Sequence, residues 1–185
     1  RSRAYLVRAR ALLMKGENDE AMADLEQAVK LDPENAEAWA MRAEGKEKQG
    51  DLEGALEDYT KAIRLDPKQP RYLMRRASIH EVQEETESAI ADMTAAIELD
   101  PDNAAAYSQR AEVQEYLAKG IADYDRALEL QPEDDEWWAA RADLKRQNED
   151  YDGATADYDA ALRLKPEDET YLEVRERVAE ERESS

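Results

Sequence analysis

Large and small apolar residues alternate along this chain at fixed intervals, set in a background of charge. At five places a large side chain (Tyr5, Trp39, Leu73, Tyr107, Trp138) is followed four residues later by an alanine (Ala9, Ala43, Ala77, Ala111, Ala142). Residues four apart share one face of a helix, so each pair predicts the buried side of a first helix. A second set follows in phase. A small residue (Ala21, Ala55, Ala89, Gly120, Ala154) is succeeded four places on by a large one (Leu25, Tyr59, Met93, Tyr124, Tyr158). Three further along comes an alanine (Ala28, Ala62, Ala96, Ala127, Ala161). Small residues let helix axes approach, and large ones fill the grooves beside them. The expected unit is therefore two antiparallel helices of about 14 residues, each roughly 20 Å long.

Residues 58–67 read Asp-Tyr-Thr-Lys-Ala-Ile-Arg-Leu-Asp-Pro, and variants of this stretch close every unit. The closing prolines are Pro33, Pro67, Pro101, Pro132 and Pro166, at spacings of 34, 34, 31 and 34. Proline cannot continue a helix, so each lies just past a C-terminus. Asn35, Asn103 and Asp135 are placed to cap the helices that follow, since a short polar side chain there accepts from free backbone N–H groups. Pro70 suits a first helical turn. Gly16 and Gly50 mark turns inside the first two units. After Pro166 a sixth first helix begins, with Tyr171, Leu172 and Val178 on its apolar side and an almost wholly polar end over residues 179–185. Such a helix caps a repeat array with a wettable face.

These residues resemble the tetratricopeptide repeat family. Its pattern has an aromatic, then small residues at the eighth, twentieth and twenty-seventh places and a Pro at the thirty-second. The second unit meets it with Trp39, Ala43, Ala55, Ala62 and Pro67. The resemblance covers nearly the whole chain. It implies an all-α, right-handed α-solenoid of five helix–turn–helix repeats and a C-terminal capping helix. As one array over 1–185, the repeats would span about 2–35, 36–69, 70–103, 104–134 and 135–168, with the cap at 169–183.

Three departures from that pattern carry expectations of their own. The seventh place is Arg throughout (Arg8, Arg42, Arg76, Arg110, Arg141, and Arg175 in the last helix), and each second helix has an Asp at one place (Asp24, Asp58, Asp92, Asp123, Asp157). Opposite charges repeated in phase predict an ion pair between paired helices. The plainer alternative has the Arg stems as core and their heads in water. The fourth unit is three residues short. Either its first helix ends a turn early, near Gln114, or a segment is missing, which would show as a Cα separation well above about 3.8 Å within 115–119. At the eleventh place stand Leu12, Lys46, His80, Gln114 and Lys145, where the family usually has an aromatic. This predicts a weaker core between units. His80 reads as a partly exposed packing residue and not as a metal or catalytic group.

Charge then narrows the partner. With 46 acidic and 26 basic side chains the net charge is −20. That argues against nucleic acid and against an anionic membrane surface, and favours a basic partner if charge alone decides. No run approaches the roughly 18 apolar residues of a membrane span. The first residues briefly resemble a leader, but Arg8 and Arg10 interrupt them. Without an initiator Met the chain reads as a piece trimmed from a longer one. There is no Cys, one His and no Gly-rich phosphate loop, so no catalysis, cofactor or metal is expected. A cytoplasmic location is favoured.

The resemblance implies a groove lined by first helices, holding an extended peptide or a partner helix. Its candidates here are Arg3, Leu6, Arg10, Met41, Arg71, Met74, Arg75 and Gln109. Some family members clamp a chaperone's C-terminal carboxylate. Arg71 and Arg75 fall on the third-unit basic pair of that clamp. Leu6, Arg10 and Met41 stand where its Lys and Asn residues are expected, so the clamp is incomplete. A looser site for an acidic, partly apolar peptide remains, because Arg suits carboxylates and Met adapts to apolar partners. Trp137 is a further candidate, as an interface anchor or as packing against the preceding helix. The reading is a protein-binding scaffold. Its rivals are a self-assembling scaffold paired through its terminal repeats and a designed repeat protein with no native partner.

Overall fold

The computed structural model describes residues 1–114 and 116–184. Among these the chain forms eleven α-helices and no strand. They are α1 (Ser2–Lys15), α2 (Asn18–Leu31), α3 (Ala36–Lys48), α4 (Leu52–Leu65), α5 (Pro70–Val82), α6 (Thr86–Leu99), α7 (Ala104–Glu112), α8 (Leu117–Leu130), α9 (Asp135–Gln147), α10 (Tyr151–Leu164) and α11 (Glu169–Ser184). The helices gather into two compact units, Arg1–Leu99 and Asp100–Ser185.

In the first unit each helix packs on the next, from α1 through to α6. The small places do what their spacing predicts. Ala9, Ala21, Ala43, Ala55, Ala77 and Ala89 are fully buried, so the axes can close on one another. Large residues fill the space beside them: Leu6, Leu25 and Met41 in one cluster, Tyr59, Tyr72 and Ile79 in the next. In the second unit Ala142, Ala154, Tyr158 and Val178 form the core that α11 closes.

Helix ends follow from local chemistry. Asn35 and Asn103 accept from the N–H groups of Ala38 and Ala106. The cap of α9 is Asp134, which accepts from Trp137 N–H at 3.1 Å. Asp135, expected in that role, is instead the first helical residue, and its carboxylate turns to Lys165 and Tyr171 at 2.8 Å each. Pro70 opens α5. Gly16 and Gly50 both have φ of 80°, a left-handed conformation that costs glycine nothing. The equivalent turns after α5 and α9 use Glu84 (φ 59°) and Glu149 (φ 61°) instead, a conformation strained for a residue with a Cβ.

The short fourth unit loses its residues from α7. That helix has nine residues, where α3, α5 and α9 have thirteen. It ends at Glu112, slightly before the point expected near Gln114. Gly120 stands opposite, and a Cβ there would come within 3.3 Å of the Ala111 carbonyl and 2.8 Å of a Leu144 methyl. Glycine at this small place thus matches a closer helix approach. The expected test for a missing segment turns on Glu115, which lies outside the described residues.

Candidate functional site

The Arg–Asp pairs form in all five places. Arg42 donates Nε and Nη2 to the two oxygens of Asp58 at 2.6 and 2.7 Å. The same two-pronged contact joins Arg8 to Asp24, Arg76 to Asp92, Arg110 to Asp123 and Arg141 to Asp157. All five carboxylates are buried. A planar guanidinium matches a carboxylate in this way, which fixes register as well as charge. The Asp24 carboxyl is held below its ordinary range by the hydrogen bonds from Arg8. The Arg side chains also lie over aromatic rings, Arg42 on Trp39 and Arg141 on Trp138 at 4.7 Å each. The indoles of Trp39 and Trp138 donate to the carbonyls of Pro33 and Pro132 at 2.8 Å. One short network therefore ties each of these first helices to the turn before it and to its own second helix.

Two features of this network were not read from the sequence. Lys46 and Lys145 place a second cation on the buried carboxylates, 3.1 Å from Asp58 and 2.8 Å from Asp157. Their place in the repeat was expected only to weaken the core, although a lysine recurring one turn beyond the Arg was the available signal. His80 occupies the same place. Its Nδ1 lies 2.6 Å from Glu85 and its Nε2 3.9 Å from Asp92, so it belongs to the polar network of α5 and α6. Among the described residues no cluster of His, Asp and Glu has the arrangement to hold a metal.

The candidate binding residues are placed differently from one another. Leu6 is buried in the first core cluster. Arg3 is exposed, and Arg10 pairs with Glu37 of α3 with its Nη2 4.0 Å from the Met41 sulfur. Met74 is half-buried. Arg71, Arg75 and Met41 come together. They line one cleft of about 200 Å³ with Ala40 and Glu44 of α3, Tyr59 of α4 and Tyr72 of α5. Arg71 and Arg75 are exposed and one turn apart on α5. Arg71 lies over the Tyr72 ring at 5.0 Å and donates to its hydroxyl at 3.3 Å. The guanidinium stays charged there, its pKa raised first by that hydrogen bond. Burial pushes the Tyr59 phenol up, so it remains neutral on the cleft floor.

In the second unit Gln109 is half-buried, and its Oε1 is shielded without a hydrogen-bond partner among the described residues. Trp137 is half-buried at the start of α9.

The two units differ in charge. The first has 15 basic and 21 acidic side chains, the second 11 and 25. The cleft of Arg71 and Arg75 thus lies in the less acidic unit. No helix among the described residues is long and apolar enough to cross a membrane.

The same fold occurs in several solved structures. MamA from Desulfovibrio magneticus RS-1 superposes with a TM-score of 0.82 at 19% identity, over 91% of this chain and 97% of that one. A tetratricopeptide repeat protein from Parabacteroides merdae gives 0.84 at 22% identity, over 96% and 72%. YrrB, described as a tetratricopeptide protein with an unusual peptide-binding site, gives 0.80 at 18% identity, over 93% and 90%. No curated protein matches the chain by sequence. A tetratricopeptide repeat family model matches residues 6–70, 41–104 and 110–169. With the helix pairs, the small places and the closing prolines all in phase, the chain belongs to the tetratricopeptide repeat family.

Proposed function

We propose that this protein is a non-catalytic interaction scaffold that holds an acidic, partly apolar peptide segment against α3 and α5. The observation that carries this reading is the pair Arg71 and Arg75. They are exposed cations one turn apart, over a floor of Met41, Ala40, Tyr59 and Tyr72. Most other first-helix arginines are committed to buried Asp partners. This pair has no buried Asp partner, and apart from the Arg71 bond to the Tyr72 hydroxyl its guanidinium groups face the cleft. Arginine forks suit carboxylates, and a methionine beside them adapts to varied apolar side chains. Met74 lies on α5 beside the pair, and Arg10 of α1 is already tied to Glu37 of α3. The family's general role as a scaffold and the peptide site described for YrrB support the same class of partner. A net charge of −20 speaks against nucleic acid, because such binding rests on neutralising phosphates.

The test is a partner pull-down with the intact chain and with an Arg71→Glu, Arg75→Glu variant. Proteins captured by the first and lost with the second support the site. An unchanged set of captured proteins removes it.

A further inference from the structure

Helix α1 is the most basic stretch of an acidic chain. Residues 1–15 contain Arg1, Arg3, Arg8, Arg10 and Lys15 and no carboxylate. Arg1, Ala4, Arg8, Ala11 and Lys15 recur every three or four residues, and all five are exposed. They therefore share one solvent-facing side of the helix. A cleft of about 370 Å³, lined by Arg1, Ala4, Tyr5 and Arg8, opens on it.

The repeat shows what this side lacks. Arg76, Arg141 and Arg175 each reach back sixteen residues to a polar acceptor, namely Thr60 at 3.0 Å, Asp125 at 2.7 Å and Asp159 at 2.9 Å. Among the described residues Arg8 pairs forward with Asp24 and lies over the Tyr5 ring at 5.7 Å, and its side chain is 65% exposed against 21% for Arg76 and 12% for Arg141.

Helix α11 carries the complement. Glu169, Glu173, Glu176, Glu180 and Glu183 follow one another at four- and three-residue steps, and all are exposed. Glu176 stands where the five repeats have their buried alanine. The side of α11 equivalent to the buried face of the other first helices is therefore a stripe of exposed carboxylates, with Leu172 42% exposed beside it.

We propose that the chain associates with a second copy of itself head to tail. The Arg1–Ala4–Arg8–Ala11–Lys15 side of α1 in one copy docks on the glutamate stripe of α11 in the other. Small Ala4 and Ala11 let the helices approach, and the charges match in sign and in helical spacing. The contact is heterologous, joining two different surfaces of the chain. One face of a helix of 14 to 16 residues is a small interface held by exposed charges. The association is therefore weak and sensitive to salt.

Light scattering of the 185-residue chain over rising concentration, at low salt and at about 0.5 M salt, tests this. The mass should climb above 21.1 kDa at low salt and return to it at high salt. Two variants sharpen the test: Arg1→Glu with Lys15→Glu, and Glu169→Lys with Glu173→Lys and Glu176→Lys. These positions are exposed, and wild-type helicity by circular dichroism confirms that each variant folds. Each alone should stay monomeric. Mixed, they should associate again, because the unaltered α1 of one meets the unaltered α11 of the other and the two reversed faces also match in sign. A wild-type mass fixed at 21.1 kDa overturns the proposal. So does association that ignores the reversals, or a mixture of folded variants that stays monomeric. None of these residues lines the Arg71 and Arg75 cleft, so the outcome is independent of the peptide site.

Discussion

Arg141 grips Asp157 through two parallel hydrogen bonds, of 2.8 Å from Nε and 2.7 Å from Nη2. Its remaining Nη1 reaches back 2.7 Å to Asp125, on the second helix of the preceding repeat. One side chain thus bonds across its own repeat and across the boundary before it. Arg76 does the same with Asp92 and Thr60. Arg175 of α11 makes the same backward contact, to Asp159 at 2.9 Å.

These pairs are costly to break by halves. Asp58 is buried, with Arg42 and Lys46 both upon it. Removing one member leaves an uncompensated charge, which costs about 3–5 kcal/mol at a buried site. Arg42 is 18% exposed on its side chain, so Arg42→Met should cost nearer the lower end. Asp58→Leu strands two cations and should cost at least as much. The double variant should cost less than the two singles together, because apolar residues of similar size replace a buried pair well. Urea unfolding of the four proteins measures this. Strictly additive losses would show that the pair contributes little as a pair.

The turn after α9 offers a gain instead. Glu149 holds φ of 61° where the first two repeats have glycine, and left-handed backbone costs a non-glycine residue about 1 kcal/mol. Glu149→Gly should raise stability by about 0.5–1 kcal/mol, and Glu84→Gly likewise. Thermal unfolding of each variant checks this, and a fall in the midpoint contradicts it.

The repeat period made the helices, their order and their buried faces legible in the sequence. Residues such as Ala43, Ala55 and Ala62 are dictated by how close two helices must come, and such places recur in every unit. The Arg and Asp places were legible for the same reason. The Lys46 and Lys145 contacts were not, because they depend on how far a flexible stem reaches toward a carboxylate already occupied. Glu84 and Glu149 were not either, since nothing in a glutamate announces a left-handed backbone. The candidate site was legible only in part. Resemblance to the family put Arg71 and Arg75 among the groove candidates. It could not show that Leu6 turns into the core or that Arg10 is drawn to Glu37.

Acid should weaken the fold in a defined direction. Hydrogen bonds from Arg8 hold the Asp24 carboxyl below its ordinary 3.8. Burial opposes the charge on Asp135, but hydrogen bonds from Lys165 and Tyr171 outweigh it and hold that carboxyl low as well. A carboxyl whose folded pKa lies below its unfolded value stabilises the fold above that unfolded value. It loses the contribution as pH falls through the folded one. The melting temperature should therefore drop below pH about 4. Relief of repulsion in a chain of net charge −20 should raise it modestly just above that point. Asp24→Asn and Asp135→Asn should melt lower at neutral pH and show a shallower acid limb. Acid limbs parallel to the wild type would contradict the assignment.

The claim that Arg71 and Arg75 form a peptide site is tested most directly by fluorescence anisotropy. The probes are three labelled peptides of equal length, one acidic and apolar, one basic and apolar, and one neutral and polar. They are titrated with the wild-type chain and with the Arg71→Glu, Arg75→Glu variant. The acidic, apolar peptide should bind the wild type best and weaken at least about tenfold, or 1.4 kcal/mol, in the variant. Equal binding of that peptide to both proteins, or preference of the wild type for the basic peptide, would contradict it.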